Sequence, residues 1–503
     1  MNQHTGITRS TRYTECYVGT ETATTLTRYS VRHCRTVRAT HSLDVAHTTL
    51  LRIPRMAMNM RTLSMHRQRL HVTRLLSLTM LLTCVVQSTC GEAPDQSGQP
   101  RTTIELTLVD DRAIGYATYQ SHNQKVVSNP WGIFITYIHQ ANSNYTAQQW
   151  RLAHSLDGGK SFVTIREETR ATSAPVLETQ PAGTLFFARP DFQNGNAYLS
   201  RLESLDAEPA TTTLRGGAAG KYCMVLDTPR KQLYHLAHNG RFHIVGVDGQ
   251  VRHTEQLLLD GERALLMYPH LALGQDGILY AAWTTQQRGR YVYRSIHAMK
   301  STDGGVRWQT LEGRPVEPPL LADNGGPATH ITHDDELDVH SWLSALMAKD
   351  GKLHFVYWAE TAPQRQRYVR IDGATGTREI DIQRIFGGRT MSKPNDSGAL
   401  VAQRAKPGAP LFFISTIDDW KRLACWVSED NGQTWREHAI SQRVFEHRIY
   451  SIGAAREVTA DGWIVGTFTD VAKQAKTYYE PGLGSVYAFR IKAQAGDTSL
   501  QQK

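Results

Sequence analysis

The chain has 503 residues and a formal net charge of +9, with hydrophobic and charged fractions that are ordinary for a soluble globular protein. This charge does not indicate a nucleic-acid-binding domain, because residues 1–74 hold twelve arginines against three acids, whereas the rest of the chain holds 44 basic and 44 acidic residues. The length allows several domains or one large repeat architecture.

The first 90 residues are predicted to lie outside the folded domain. Residues 1–64 are rich in Thr, Arg and His without sustained periodicity, and we expect a non-native or disordered leader there. Residues 65–90 join basic residues, an apolar run and small or polar residues, which is the pattern of a secretory signal peptide. The apolar run is short for a membrane-spanning helix. We therefore expect a secreted, periplasmic or cell-surface protein.

The cysteines suggest a lipid anchor as the only form of membrane attachment. Cys90 could be lipidated, although the preceding Gln87-Ser88-Thr89 is a poor match to a bacterial lipoprotein signal. Beyond the leader only Cys223 and Cys425 remain, and two cysteines cannot form a disulfide framework.

From residue 102 the sequence is a succession of short β-rich runs. Residues 91–101 are predicted to be a polar linker, 102–492 the folded domain and 493–503 a disordered tail. Asp-Gly pairs, which supply the positive φ angles of tight hairpins, recur between the runs, and no long amphipathic helix is predicted. The clearest strand predictions are Ile133–Ile138, Ile278–Trp283, Lys352–Trp358, Leu411–Ile417 and Trp463–Phe468.

One motif, Ser-x-Asp-x-Gly-x-x-aromatic, occurs at residues 155–162, 301–308 and 428–435. The Asp carboxylate is suited to accept hydrogen bonds from nearby backbone amides, the glycine to adopt a left-handed conformation, and the aromatic ring to cover the base of a hairpin turn. We therefore assign a structural role to the motif. The residues concerned are Asp157, Asp303, Asp430, Trp308 and Trp435.

The three copies resemble the Asp-box, or BNR repeat, of the sialidase-like β-propeller superfamily, and the resemblance covers roughly residues 105–490. It implies an all-β propeller of four-stranded antiparallel blades, with the Asp-boxes away from the active face. The copies begin 146 and 127 residues apart, and a blade takes roughly 40–65 residues. We expect six blades, with seven as the alternative.

An exo-sialidase is one function that this resemblance implies. Such an enzyme needs three arginines for the substrate carboxylate, and the first belongs to an aromatic-Arg-Ile-Pro motif at the start of the propeller. Only Leu51-Arg52-Ile53-Pro54 approaches that motif, and it lies in the leader. No replacement occurs between residues 102 and 155, which disfavours sialic acid as the substrate.

Residues 267–308 resemble the sialidase-like subgroup that contains polysaccharide lyases acting on uronate polymers such as ulvan. A lyase must neutralise a carboxylate, remove a proton and protonate the leaving oxygen, and Arg, His and Tyr suit these tasks. Tyr268, His270, Arg294 and His297 are therefore catalytic candidates. The alternative is that the two histidines are ordinary strand or loop residues.

A second candidate site is the charged segment 329–342. His330, His333 and His340 are predicted to contact substrate, because long loops on a rigid scaffold often carry function. The same loop could bind a divalent cation, although charged loops are most often only solvated. No metal ligand and no other cofactor is assigned.

The third candidate site is Arg448 with Tyr450. Tyr450 falls near the position where sialidases carry their nucleophilic tyrosine, with Glu446 or Glu457 as a possible partner. Arg448 lies two residues earlier and would point the same way along a strand. The alternative is a surface strand.

Together these features predict a secreted propeller that cleaves glycosidic bonds in an extracellular acidic polysaccharide, as a lyase or a glycosidase. The alternatives are a non-catalytic propeller that binds a glycan or a protein, and an exo-sialidase. The enzyme hypothesis requires Tyr268, His270, Arg294, His297 and Tyr450 to project towards one central cleft.

Overall fold

The structure is a computed structural model, and it describes residues 102–119, 124–140, 148–171, 173–323, 325–336, 341–360, 365–382, 385, 398–471 and 482–494. The predicted leader, signal peptide and linker, including Cys90 and Leu51-Arg52-Ile53-Pro54, lie outside these residues, as does most of the predicted tail. The described residues contain one 3-10 helix, Asp334–Glu336, and no helix that is long and apolar enough to span a membrane.

The first third of the described chain forms an N-terminal strand and three sheets. The N-terminal strand is β1 (Thr102–Ala113). The first sheet comprises β2 (Val126–Asn129), β3 (Gly132–Gln140), β4 (Gln148–Ser155) and β5 (Val163–Ala171). The second comprises β6 (Val176–Thr179), β7 (Leu185–Asp191), β8 (Asn196–Leu202) and β9 (Ala210–Leu214). The third comprises β10 (Tyr222–Asp227), β11 (Gln232–Ala237), β12 (Arg241–Gly246) and β13 (Val251–Gln256).

The middle of the chain forms a larger fourth sheet and a regular fifth one. The fourth contains β15 (Ala264–Leu273), β16 (Leu279–Gln287), β17 (Tyr293–Ser301), β18 (Trp308–Gln309), β19 (Pro315–Val316) and β21 (Thr329–His330). Beside it, β14 (Leu258–Leu259) pairs in parallel with β20 (Leu320–Leu321). The fifth contains β22 (Ser341–Lys349), β23 (Lys352–Ala359), β24 (Arg365–Asp372) and β25 (Arg378–Ile382).

The last strands and β1 form one mixed eight-stranded sheet. Its remaining members are β26 (Ala399–Ala402), β27 (Leu411–Ile417), β28 (Arg422–Ser428), β29 (Arg436–Ile440), β30 (Arg448–Ala454), β31 (Trp463–Val471) and β32 (Gly484–Lys492). The order is β26-β27-β28-β29-β1-β32-β31-β30, and only two residue pairs, Thr102↔Ala439 and Thr103↔Ile440, join β29 to β1. The sheet therefore consists of two four-stranded antiparallel halves.

The first strands of successive sheets form a closed ring. β2 contacts β6, and the contacts continue through β10, β15, β22, β26 and β30, which in turn contacts β2. Four-stranded antiparallel sheets around such a ring are the β-propeller architecture. The ring closes without a covalent link, because N-terminal β1 pairs antiparallel with C-terminal β32 from Ile104↔Ile491 to Ala113↔Gly484.

The five clearest strand predictions all correspond to second strands of the four-stranded units, namely β3, β16, β23, β27 and β31. A second strand is hydrogen-bonded on both edges and covered on both faces by neighbouring sheets. All seven residues of β27, for example, are buried. This double burial explains the continuous apolar runs in the sequence.

The three repeated turns, residues 155–162, 301–308 and 428–435, share one hydrogen-bonding pattern. In the first, Asp157 Oδ1 accepts hydrogen bonds from the backbone N–H groups of Lys160 and Ser161, both at 2.9 Å. Ser155 Oγ donates to Asp157 Oδ1 at 2.8 Å and accepts from the Gly159 N–H at 2.8 Å. The equivalent serine, aspartate and glycine make these contacts in the other two turns.

Each repeated turn connects the third and fourth strands of its sheet. In an antiparallel meander that connection lies at the same end as the first-to-second connection, and therefore opposite the starts of the first strands. Five Asp-Gly pairs outside the repeated turns lie at this end too, because each occupies a first-to-second or third-to-fourth connection. They are Asp248-Gly249, Asp276-Gly277, Asp350-Gly351, Asp372-Gly373 and Asp461-Gly462.

The repeated turns also join neighbouring sheets. The ring of Trp308 packs edge-on against Phe242 of the preceding sheet, with centroids 5.6 Å apart. Trp435 packs in the same way on Tyr368, at 5.3 Å. Arg370 Nη1 donates to the Asn431 carbonyl at 2.6 Å, which fastens the third turn to the fifth sheet.

We predict that Trp308→Ala lowers the free energy of unfolding by about 3–5 kcal/mol, because it removes a large buried ring. Asp303→Ala should lower it by about 1–3 kcal/mol, since the turn amides lose their acceptor. Denaturant unfolding measures both effects. Val306→Ala, at an exposed position of the same turn, is the control. A Trp308→Ala protein as stable as this control would contradict the structural role of the motif.

Arg456 lies at the centre of the ring and contacts three other sheets. One guanidinium nitrogen, Nη1, donates to the Glu178 carboxylate and, at 3.1 Å, to the Met224 carbonyl. Its backbone N–H donates to Gln124 Oε1 at 2.8 Å. Glu178 is buried, which raises its pKa, while Arg456 and Arg404 act in the opposite direction. This ion pair links the first strands across the centre of the propeller.

We predict that Arg456→Met destabilises the protein by about 3–5 kcal/mol, because it leaves the Glu178 carboxylate buried without its cation. The Arg456→Met/Glu178→Gln double variant should be less destabilised than the sum of the single variants. Arg436→Met, which breaks an exposed ion pair with Glu429, is the control and should cost about 1 kcal/mol or less. Additive effects of the two central substitutions in denaturant unfolding would refute the proposed coupling.

Candidate functional site

A group of aromatic side chains gathers near the starts of the first strands, at the end of the propeller opposite the repeated turns. We call it the tyrosine cluster. Its buried members are Tyr119, Met267, Tyr268, Tyr293, Trp342 and Trp358, and Tyr116, Leu265 and Tyr450 pack against them. Five strands or turns contribute: the turn before β2, then β15, β17, the β22–β23 hairpin and β30.

Tyrosine hydroxyl groups within this cluster form a chain of hydrogen bonds. The hydroxyls of Tyr119 and Tyr268 are 2.7 Å apart, and those of Tyr268 and Tyr293 are 2.9 Å apart. Tyr293 then donates a longer bond of 3.4 Å to the hydroxyl of Tyr291. Protons can shift along such a chain because a phenol both donates and accepts hydrogen bonds.

Tyr450 and Lys221 extend the cluster. The ring of Tyr450 stacks on Tyr119 with centroids 6.1 Å apart and an interplanar angle of 16°. Lys221, just before β10, places its ammonium group 5.4 Å from the centroid of the Tyr268 ring. A cation over an aromatic face is attracted to the ring, so positive charge lies beside the buried hydroxyls. Tyr268 and Tyr450, predicted independently from the sequence, are thus joined through Tyr119.

The backbone is unusual at both predicted tyrosine positions. Tyr268 has φ 46°, and Ser451, next to Tyr450, has φ 53°. The pairing register shifts at both places, between Met267 and His270 in β15 and between Tyr450 and Gly453 in β30. Such bulges re-aim side chains, and each left-handed non-glycine residue costs about 1–3 kcal/mol. Neighbouring packing therefore holds these side chains in place against local strain.

His270 lies in the interior. It is buried, and its pKa is lowered to about 3 by burial and by the charge of Arg456, against the effect of a hydrogen bond with the backbone of Leu343. Its imidazole is therefore neutral near pH 7. Its surroundings are the central ion pair and the backbone of the next sheet.

His297 and His330 stack on each other, with centroids 5.1 Å apart. The other face of His297 lies near Trp283 at 5.9 Å, and its Nε2 is 2.9 Å from Ser295 Oγ. Burial, followed by the neighbouring His330, lowers the pKa of His297 to about 3. Burial also lowers the pKa of His330. His297 in β17 and His330 in β21 therefore pack against each other within the fourth sheet.

Arg294 is the extra residue of a β-bulge, since Thr285 pairs with Ser295 while Gln286 pairs with Tyr293. It is half-buried and follows directly after Tyr293 of the tyrosine cluster. Arg294 is therefore the sequence neighbour of a cluster residue.

His333 belongs to a network of charged side chains. Its Nε2 is 2.5 Å from Asp381 Oδ2 and 2.8 Å from Arg378 Nη1, and its backbone N–H donates to the buried Glu336 at 2.9 Å. Glu336 also accepts hydrogen bonds from Arg367 and Tyr357. His340 lies outside the described residues. Within the described ranges no group of three or more His, Cys, Asp or Glu side chains could hold a metal ion.

The structure directs Arg448 and Tyr450 to different partners. The Arg448 guanidinium lies 4.1 Å from the ring centroid of Trp420, whereas Tyr450 stacks on Tyr119. The glutamates considered as partners of Tyr450 have other contacts: Glu457 accepts a hydrogen bond from Arg404 at 2.5 Å, and Glu446 is exposed near His447. Of this predicted pair, only Tyr450 is seen to join the tyrosine cluster.

Several residues near this end were missed by sequence reasoning. Tyr119, Tyr293 and Lys221 belong to no recognisable motif, and the only available signal was the density of tyrosine. A buried pair, Asp110 Oδ2 and His139 Nδ1 at 2.7 Å, was also missed, because its members come from different strands 29 residues apart. Arg151 Nη1 binds the same carboxylate at 3.2 Å.

No family model and no curated protein matches the sequence. Among solved structures, two structures of an ulvan lyase of polysaccharide lyase family PL25 are similar, and one of them is bound to -[GlcA(1-4)Rha3S]-. Each aligns with a TM-score of 0.56 and 10% identity, and the alignment covers 77% of this chain and 96% of the ulvan lyase chain. A third similar structure is an α-L-arabinanase from Penicillium chrysogenum complexed with arabinobiose. Its TM-score is 0.43 at 12% identity, and the alignment covers 78% of this chain and 99% of the arabinanase chain. At these identities the likeness to the ulvan lyase shows the fold alone.

We predict that stability falls as pH decreases from 7 to 5. Burial lowers the pKa of His235, His270, His297 and His354 to about 3, below the ordinary value of 6.5. Between these values the unfolded chain binds protons that the folded chain does not. Each such histidine therefore costs about 1.4 kcal/mol per pH unit once the unfolded state is protonated.

Denaturant unfolding at several pH values tests this prediction. His297→Gln should reduce the slope of stability against pH, whereas Val163→Ala, at an exposed position without a titratable group, should leave it unchanged. The range above pH 5 avoids most titration of unfolded carboxyl groups. Stability that is independent of pH across this range would rule out the assigned neutral state of the buried histidines.

Proposed function

We propose that the tyrosine cluster is the active site of an enzyme that cleaves glycosidic bonds in an extracellular acidic polysaccharide. The observation that carries the proposal is the chain of tyrosine hydroxyls contributed by separate strands, with the Lys221 ammonium over Tyr268. The similarity in fold to an ulvan lyase, one structure of which holds a glucuronate-containing ligand, supports this substrate class. Fold similarity at this identity does not carry the proposal by itself.

The cluster has groups suited to acid–base chemistry. In an elimination, a base removes the proton at C5 of the uronate, a C4–C5 double bond forms, the C4–O bond breaks, and an acid protonates the departing oxygen. Tyr450 is half-buried, so part of its side chain is exposed, while the buried Tyr119–Tyr268 pair can redistribute a proton. Lys221 would stabilise negative charge that develops on Tyr268. Hydrolysis would use the same groups, with water adding across the bond.

The proposal includes a propeller of seven blades and an extracellular location. Seven first strands contact one another around the ring, if the eight-stranded sheet is counted as two blades joined by two residue pairs. This count favours the alternative of seven blades over the expected six. The extracellular location, and a lipid anchor as the only membrane attachment, depend on the signal-like residues 65–90.

A non-catalytic glycan-binding propeller is the second candidate function. The observation in its favour is that His270 and His297, two of the predicted catalytic histidines, are buried and surrounded by internal contacts. With these two histidines buried, an enzyme would have to obtain its acid and base from other groups, such as the tyrosines. Aromatic clusters can equally serve to bind sugar rings.

We predict that Tyr268→Phe and Tyr450→Phe each lower turnover of the best uronate polymer by about 10²–10⁴-fold, because each removes one proton-transferring hydroxyl and keeps the ring. Ultraviolet absorbance of unsaturated product detects elimination, and a reducing-end assay detects hydrolysis. Tyr198→Phe, in β8 and outside the cluster, is the matched control. Thermal melting checks the folding of all three variants.

The outcomes separate the candidate functions. Wild-type turnover in both folded variants would remove the tyrosines from the chemistry. Binding of polyuronides without any cleavage would favour the glycan-binding propeller. Cleavage of sialosides instead of polyuronides would overturn the proposed substrate class.

A further inference from the structure

The hairpin between β16 and β17 is unusually exposed for a segment beside the tyrosine cluster. Arg288, Gly289, Arg290 and Tyr291 are all exposed, and Tyr291 retains 46% of its accessible surface. The hairpin connects second and third strands, so it lies at the same end as the starts of the first strands. It therefore borders the candidate active site and not the repeated turns.

Tyr291 continues the tyrosine cluster towards solvent. Its ring lies 5.3 Å from that of Tyr293 at an angle of 55°, and its hydroxyl receives the 3.4 Å bond from Tyr293. A tyrosine ring combines an apolar face with a polar hydroxyl, and both can contact a ligand. An exposed aromatic face held in place by a buried neighbour is suited to pack against a sugar ring.

Positive charge accompanies this ring. Arg288 donates from Nε and Nη2 to the Gly261 carbonyl, at 3.3 and 3.1 Å, so its guanidinium is already hydrogen-bonded within the protein. Arg290 is exposed, and its guanidinium makes no ion pair with any residue in the described ranges. Arg263 is also exposed, and it lies beside Arg288, whose backbone N–H donates to the Arg263 carbonyl at 2.8 Å.

The carboxylates near this hairpin are Asp323 and two acids in the segment of Arg263, whereas residues 288–292 contain no acid. Asp323 accepts hydrogen bonds from the backbone N–H groups of Glu262, Arg263 and Ala264, at 3.0, 2.5 and 2.8 Å. Asp260 accepts one from the Leu266 N–H at 2.8 Å. Against the effect of burial, these backbone bonds and the charge of Arg263 lower the pKa of Asp323. Asp260 and Glu262 are exposed acids of the same segment, so Arg263 is compensated and Arg290 is the exposed cation next to Tyr291.

We propose that Arg290 and Tyr291 form an outer subsite that binds a uronate unit of an acidic polysaccharide. The Arg290 guanidinium pairs with the carboxylate, and the Tyr291 ring packs on the sugar. The inference deepens the proposed function and rests on it, because it assigns the substrate class to a second patch beside the same site. The subsite lengthens the contact with the chain without taking part in bond cleavage.

Binding of alginate oligosaccharides to the full chain tests the subsite, with dextran oligosaccharides of equal length as the neutral probe. Arg290→Gln and Tyr291→Ala should each weaken alginate binding roughly tenfold, as expected for the loss of one charge-assisted or aromatic contact. Tyr291→Phe should bind nearly as wild type because it keeps the ring. Arg314→Gln, at a 76% exposed position of the same sheet, is the charge-matched control.

The result separates this inference from the proposed function. Wild-type binding by Arg290→Gln and Tyr291→Ala, with alginate still cleaved, would overturn the subsite alone. An equal loss in Arg314→Gln would also overturn it, since the effect would then reflect overall charge. A wild-type protein that binds alginate without cleaving it would overturn the catalytic proposal, and the variants would still decide the subsite. Absence of both binding and cleavage of polyuronides would overturn both.

Discussion

The buried ion pair between Arg456 and Glu178 is the interaction on which the centre of the propeller depends. A ring of sheets brings the first strands together at its axis, where a carboxylate loses its hydration and needs a cation. Arg456 provides that cation and also binds the backbone of a third strand. The same charge helps to keep His270 neutral. One side chain thus links neighbouring strands and, after burial, contributes to the lowered pKa of a histidine near them.

The two ends of the sheets differ in backbone conformation and in the contacts they make. At one end the Asp-Gly pairs and repeated turns satisfy their backbone groups locally and dock on the preceding sheet through Trp308 and Trp435. At the other end the strands start with bulges, positive φ angles at Tyr268 and Ser451, and a chain of tyrosine hydroxyls. Backbone strain is tolerated there because the stable turns and the central ion pair hold the sheets in register.

Histidine shows why residue type is a poor guide to chemistry in this fold. The sequence places His270 and His297 in a segment that resembles a lyase and His330 and His333 in a separate charged loop, and imidazole is a common acid or base. In the structure, burial makes the first two poor proton acceptors near neutral pH, stacking joins His297 to His330, and His333 enters an ion network. The hydrogen-bonded tyrosine hydroxyls are therefore the groups on which the proposed function depends.

The sequence by itself determined the β-rich character of residues 102–492, the five most apolar strands and the hairpin turns, because these depend on residues close together in the chain. It also singled out Tyr268 and Tyr450, by resemblance to known families. Only the tertiary structure decided that both meet Tyr119, that Arg448 faces Trp420, and that β1 closes the ring on β32. These contacts join residues far apart in sequence, and no local pattern records which strands become neighbours when a ring of sheets closes.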